Sequence, residues 1–265
     1  MGVTSSYDPA RTASSLGQLV RRHDPDRFLT ALFAPPDRRE ALFLLYAFNH
    51  ELARAREAVS EAPLALIRLQ WWREVVEGAH RRHEVAEPLS AAIDAGALSR
   101  DDLLSVIEAR EAEAEPGFET SRDWHDYLHG GAGGLAVAAA RLLGALEPER
   151  FRPLGAAFGL AGLLRSVVAH SRQGRCLLPT DALAAHHLSP QQVIANPEAA
   201  RGAVVQLAAE GLMLLRHRRL SRHVVAAGLP GVLARRDLRR APQFPPVRGI
   251  GDRMAVVWAG LTGRV

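Results

Sequence analysis

A chain of 265 residues, 48% of them hydrophobic, can bury one large core and lies near the size at which cores divide, so a single domain over 1–265 is expected. All 33 Lys+Arg residues are arginine, which excludes a Walker-A phosphate loop, lysine Schiff-base chemistry and Ser-x-x-Lys hydrolysis. The net charge of +4 is uneven: residues 211–265 hold eleven arginines against Asp237 and Asp252, a balance of +9 that leaves −5 for the first 210 residues.

Capping residues ahead of apolar-periodic runs mark helix starts at Asp24 with Pro25, Pro36 with Asp37, Ser99 with Asp102, Thr120, Ser189 with Pro190 and Asn196 with Pro197. Helices are predicted at about 13–22, 26–34, 38–59, 63–82, 88–95, 100–115, 121–144, 149–171, 181–187, 190–195, 198–227, 230–238 and 250–261. Strand signals are nearly lacking, and no linker or internal repeat interrupts the pattern. The fold class is therefore all-α, with residues 1–12 expected to be flexible.

Helix 38–59 carries two stripes: Leu45, Phe48 and Leu52 are apolar, and Asn49, Ala53 and Arg56 run beside them. In helix 63–82, adjacent Trp71 and Trp72 diverge by about 100°, so one ring enters the core while the other covers a neighbouring helix. Gln70 and Arg73 share a side that faces either a cavity or a surface ion pair. Asp101, Glu108, Glu111 and Glu115 share a face of helix 100–115, and a solvated acidic face is the expected reading over a cation site.

His125 and His129 stand one turn apart as in a zinc helix, but Asp126 is short for the general base of such a site and no third ligand follows, so no metal is expected there. The run Gly130 to Gly134 contains a GxGxxA match from Gly131 to Ala136. It follows no strand, so close helix packing or a kink is expected in place of a dinucleotide site. From helix 149–171 the chain passes Gly174 into a loop ended by Pro179. There Arg165, Arg172 and Arg175 have two open readings, phosphate binding and structural ion pairing.

The only cysteine, Cys176, forbids an internal disulfide and fits a buried thiol in a reducing compartment. The longest apolar runs, such as 154–164, are too short to span a bilayer, and no signal peptide is read ahead of the fold. The first six residues match a myristoylation pattern too short to carry weight. A cytoplasmic location of bacterial type, at most peripheral to the inner membrane, is expected. The basic C-terminal part suits anionic lipid or an acidic partner, and equally a solvated face; nothing in it resembles a nucleic-acid reading element.

Four segments, RREALFLLYAF (38–48), RLQWWRE (68–74), DYLHGGAGGLAVAAARLLG (126–144) and RQGRCLLPTDAL (172–183), together resemble the squalene/phytoene synthase family in order and over most of the chain. The resemblance implies the single-domain, all-α class I isoprenoid (terpenoid) synthase-like bundle. In active members it further implies two facing aspartate-rich motifs that hold magnesium against a prenyl diphosphate, because hard cations on carboxylate oxygens must offset that anion in an apolar cavity.

In this chain the first motif falls on Ala53, Arg54 and Glu57, and the second on Ser166 and His170 with Ala169 between them. Gly159 and Gly162 stand where the family places Gln and Asn. The wording AFNHELA, VSE, IRLQWWRE and LLRSVVAH is most similar to the branch containing the mitochondrial respiratory complex I assembly factor, which likewise lacks the aspartates. On that resemblance no catalytic residue, metal or cofactor is expected. Asn49, Glu51, Ala53, Arg54, Glu57, Glu61, Gln70, Arg73, Tyr127, Gly131, Gly134, Arg165, Ser166, His170, Arg172 and Arg175 become candidates for lining a cavity or ligand site.

The expected function is then a non-catalytic lipid- or protein-binding factor in complex I assembly, with a prenyl or other lipid, a membrane surface or a respiratory-complex subunit as partner. An active head-to-head prenyltransferase, needing magnesium and neutralising diphosphate with Arg54, Arg56, Arg165 and Arg172, is the alternative. A carrier of prenyl lipid or quinone would require an enclosed apolar cavity between helices 38–59 and 149–171.

Overall fold

The computed structural model describes residues 14–57, 62–115 and 117–265. The expected flexibility of 1–12, the myristoylation match, Ser60 and Glu61 lie outside them. The first helices start where short polar side chains satisfy free amides. Ser14 accepts from Gly17 N at 2.9 Å ahead of α1 (Ser15–His23), and Asp24 accepts from Arg27 N at 2.9 Å ahead of α2 (Pro25–Ala31). α3 (Pro36–Glu57) is the hub of the bundle, because every residue from 42 to 49 is buried. α4 (Ala62–Glu77) packs on it through Trp72, whose ring meets Phe48 edge-on at 5.5 Å. Trp71 is half-buried over Trp72 and His83, the division of labour expected of adjacent tryptophans.

α5 (Ala86–Asp94) and α6 (Arg100–Glu111) follow, the latter capped by Ser99 and continued by a 3-10 turn, Ala112–Ala114. Thr120 caps α7 (Ser121–Leu128), which runs through a π-helical segment, His129–Gly133, into the almost wholly buried α8 (Gly134–Leu142). The glycine run therefore produces both close packing and an irregularity. A Cβ at Gly130 would stand 2.8 Å from Ala109 Cβ, and one at Gly133 would stand 2.9 Å from Arg152 Cγ.

After a 3-10 turn at Pro148–Phe151 comes α9 (Arg152–Arg165), whose Gly155 and Gly159 lie flush on the π segment; a Cβ at Gly155 would meet Ala132 O at 2.3 Å. The predicted helix 149–171 is broken at Ser166, and α10 (Val167–Arg172) is separate. α11 (Thr180–Ala184) and α12 (Pro190–Ala195), the latter opened by a Ser189/Gln192 capping box, lead through a 3-10 turn to α13 (Arg201–Met213).

α14 (Val225–Leu238) and α15 (Ile250–Thr262) complete the chain. The prediction of one helix over 198–227 and another from Pro230 is corrected here: the break lies at 214–224, and Pro230 sits inside α14. Gly228 and Gly231 let Leu220 and Leu154 approach so closely that packing on α9 outweighs the bond Pro230 cannot donate. One buried cluster links most elements, and a smaller one joins Val225, Leu229 and Leu233 of α14 to Val256 and Ala259 of α15. Among the described residues no helix is long and apolar enough to cross a membrane.

Candidate functional site

The polar centre of the bundle is built on Asn49 of α3. Its Oδ1 accepts from Arg110 Nη2 at 3.1 Å, and Arg110 Nη1 also donates to the Glu113 carboxylate. The Tyr127 hydroxyl donates to the same carboxylate oxygen, while Arg175 Nη2 donates to the Glu113 carbonyl at 3.0 Å. Glu113 is buried because α6 tightens into its 3-10 turn, which directs this side chain inward and leaves Asp101, Glu108 and Glu115 exposed. Four elements thus meet around Glu113: α3, the end of α6, α7 and the loop after α10.

The electrostatics suit this closed network. Burial and the adjoining Glu113 charge push the Tyr127 phenol far up, so it remains a donor. Burial, reinforced by Arg175, pushes the His170 imidazole down against the pull of Glu113, so His170 is neutral near pH 7. Burial likewise pushes up the Cys176 thiol.

The remaining candidates are distributed around this centre. Ala53 is half-buried, and Arg54 is exposed and bridged to Glu51 at 3.2 Å. Glu57 ends α3, with its side chain outside the described part, and Ser166 is half-buried at the break between α9 and α10. Gln70 faces solvent, and Arg73 pairs with Glu111 at 2.6 Å, which places Arg73 in an ion pair. Gly131 and Gly134 are buried contact points for Ala109 and Val106. His125 meets Glu210 at 3.3 Å, and no group of three or more His, Cys, Asp or Glu converges among the described residues.

The three loop arginines part company. Arg175 belongs to the centre, whereas Arg172 is exposed and in no ion pair among the described residues. Arg165 donates to Asp237 Oδ1 at 3.1 Å and to Pro245 O at 3.2 Å, which is the ion-pairing reading of this residue. Asp237, 1% exposed, also takes Arg248 Nη1 at 2.5 Å, and Arg248 grips Asp26 with its shortest contact at 2.7 Å. Beside them Asp252 binds Arg236 at 2.6 Å and Arg240 at 2.9 Å.

Sequence reasoning did not single out Arg110 and Glu113. Their i,i+3 spacing signals an ion pair, but only the 3-10 turn buries it.

The described side chains at the motif positions offer no free carboxylate to magnesium. Ala53 offers no donor, Arg54 is a cation, Ser166 and His170 are neutral, and the carboxylates of Glu51 and Glu113 are already held by arginine. The gap beside His170 and Arg175, between Val167, Leu178 and Val193, is too narrow for water. A pocket of about 1030 Å³ opens elsewhere, between Asp37, Glu147 and His217.

The comparisons agree with this architecture. Complex I assembly factor 6 of NADH dehydrogenase (ubiquinone) from Mus musculus is 25% identical over 227 residues, covering 82% of this chain and 68% of that protein. The chain spans about two thirds of the length of such curated relatives. Presqualene diphosphate synthase of Sinorhizobium fredii is 25% identical over 161 residues, 56% of each chain. The squalene synthase structure from Alicyclobacillus acidocaldarius superposes with a TM-score of 0.61 at 18% identity over 94% of this chain and 92% of that one, a likeness of fold. With the squalene/phytoene synthase family model matching residues 20–244 of this all-α bundle, the chain belongs to the squalene/phytoene synthase family.

Proposed function

We propose that this chain is a non-catalytic member of its family that serves respiratory complex I assembly by docking a protein or lipid partner. The observation that carries the reading is the network of Asn49, Arg110, Glu113, Tyr127 and Arg175 around a buried carboxylate. A prenyl diphosphate needs several uncompensated cations, and metal ions need free carboxylates; here the carboxylate at the centre is already neutralised. The likeness to assembly factor 6 proteins supplies the process. The narrowness of the gap beside His170 and Arg175 supports docking on the surface over carriage of a lipid there.

Two experiments test the proposal. The protein is incubated with farnesyl or geranylgeranyl diphosphate and magnesium or manganese, and the products are extracted; no squalene or phytoene is expected, and either product overturns the non-catalytic reading. Disrupting the gene in its source organism and resolving respiratory complexes on native gels should deplete mature complex I, and unchanged complex I would remove the assembly role. The presqualene diphosphate synthase likeness favours a second reading, head-to-head prenyl coupling. It would require Arg165 to leave Asp237 and Pro245 for diphosphate.

A further inference from the structure

We propose that the outer face of α15, together with the segment 219–222 and Arg264, is a docking surface for a bilayer containing anionic phospholipid. The surface is separate from the central network and holds whether or not the bundle is catalytic; it gives the assembly reading a membrane face.

Ile250, Met254, Trp258 and Leu261 recur at spacings of four, four and three, so they fall on one stripe about 16 Å long. They are 81%, 59%, 64% and 60% exposed, and Val247, just before the helix, is 71% exposed. The opposite face is fixed: Asp252, Val256, Ala259 and Gly260 are buried, and Gly260 lets α15 lie directly on Phe33, whose ring a Cβ would meet at 2.3 Å. The apolar side therefore cannot turn inward without dismantling the Asp252 pairs with Arg236 and Arg240.

Charge selects the occupant. At the C-terminal end of the stripe a pocket of about 650 Å³ is lined by Arg219, Arg222, Arg264, Trp258 and Leu261 with no acidic residue. Among the described residues none of these three arginines makes an ion pair, and Arg253 extends the basic border along the helix. The pocket is rigid, since Arg218 N donates to Val265 O at 2.8 Å and Leu220 N to Gly263 O at 2.8 Å, tying the last residues to this segment. The only acid on α15, Asp252, is buried and paired. An apolar stripe with an interfacial tryptophan beside unpaired guanidinium groups complements the acyl boundary and phosphates of an anionic leaflet, with Trp258 at headgroup depth.

The test is sedimentation of the full chain with vesicles of phosphatidylcholine alone or mixed equally with phosphatidylglycerol, with brominated acyl chains to quench tryptophan. Binding to the anionic vesicles, weakened by salt, is expected, and the quenching should be lost in Trp258→Phe. Replacing Arg219, Arg222 and Arg264 together by Gln should lower partitioning roughly a hundredfold, on the order of fivefold per arginine. Ile250→Ser with Met254→Ser should lower it at least about tenfold. Both sets are exposed, and unchanged circular dichroism confirms that the loss is local. Equal behaviour with neutral and anionic vesicles, or quenching that survives Trp258→Phe, would overturn the proposal. So would a dimer on gel filtration that Ile250→Ser with Met254→Ser dissolves, because the stripe would then be covered by a second copy.

Discussion

The centre of the bundle and its C-terminal flank use the same side chain to opposite ends. At the centre, Arg110 is half-buried against Glu113 and Asn49, so its charge is spent inside the fold. On the flank, Asp237 and Asp252 lie beneath the surface held by four arginines, while Arg219, Arg222 and Arg264 stand outside with no carboxylate partner among the described residues. The contrast teaches that arginine content alone says little about anion binding. What matters is which guanidinium groups the fold has already neutralised.

The sharpest way to strain this contrast is Asp237→Ala, which leaves Arg165 and Arg248 half-enclosed without their shared acid. A loss of about 3 kcal/mol in urea denaturation is expected. At the centre, Glu113→Ala strands Arg110 and Tyr127 and should cost about 2 kcal/mol in the same measurement; a negligible cost would mean that the central network holds nothing together.

Acid separates the regions further. Burial pushes the Asp252 carboxyl up, but hydrogen bonds from Arg240 and Arg236 outweigh it and hold the group well below its unfolded value near ~3.9. Its contribution is therefore complete above that value and is lost as pH falls toward the folded one, at about 1 kcal/mol per pH unit. Asp252→Asn should flatten this part of the acid limb, and parallel limbs for the two proteins would contradict the pairing. Arg172→Ala, at an exposed residue in no ion pair, should change stability by less than about 0.5 kcal/mol.

Much of this was legible in the sequence. Short polar caps located the starts of α2, α6, α7 and α12, and the first stripe of α3, Leu45, Phe48 and Leu52, is buried as read, whereas the second runs from buried Asn49 to half-buried Ala53. The motif positions could be placed because helical spacing carries them. Other features depended on tertiary contacts. Pro230 reads as a helix start locally, yet α14 continues through it because Gly228 and Gly231 admit Leu220 and Leu154. Glu113 reads as one acid among many on helix 100–115 until the helix tightens and turns it inward. Arg165 looks equivalent to Arg175 in sequence, but Asp237, 72 residues away, claims it.

The most direct test of the central claim is calorimetric titration of the protein with a non-hydrolysable farnesyl diphosphate analogue, with and without magnesium. Because Glu51 and Glu113 are already paired with arginine, no magnesium-dependent binding is predicted. Micromolar binding that appears only with magnesium would contradict it.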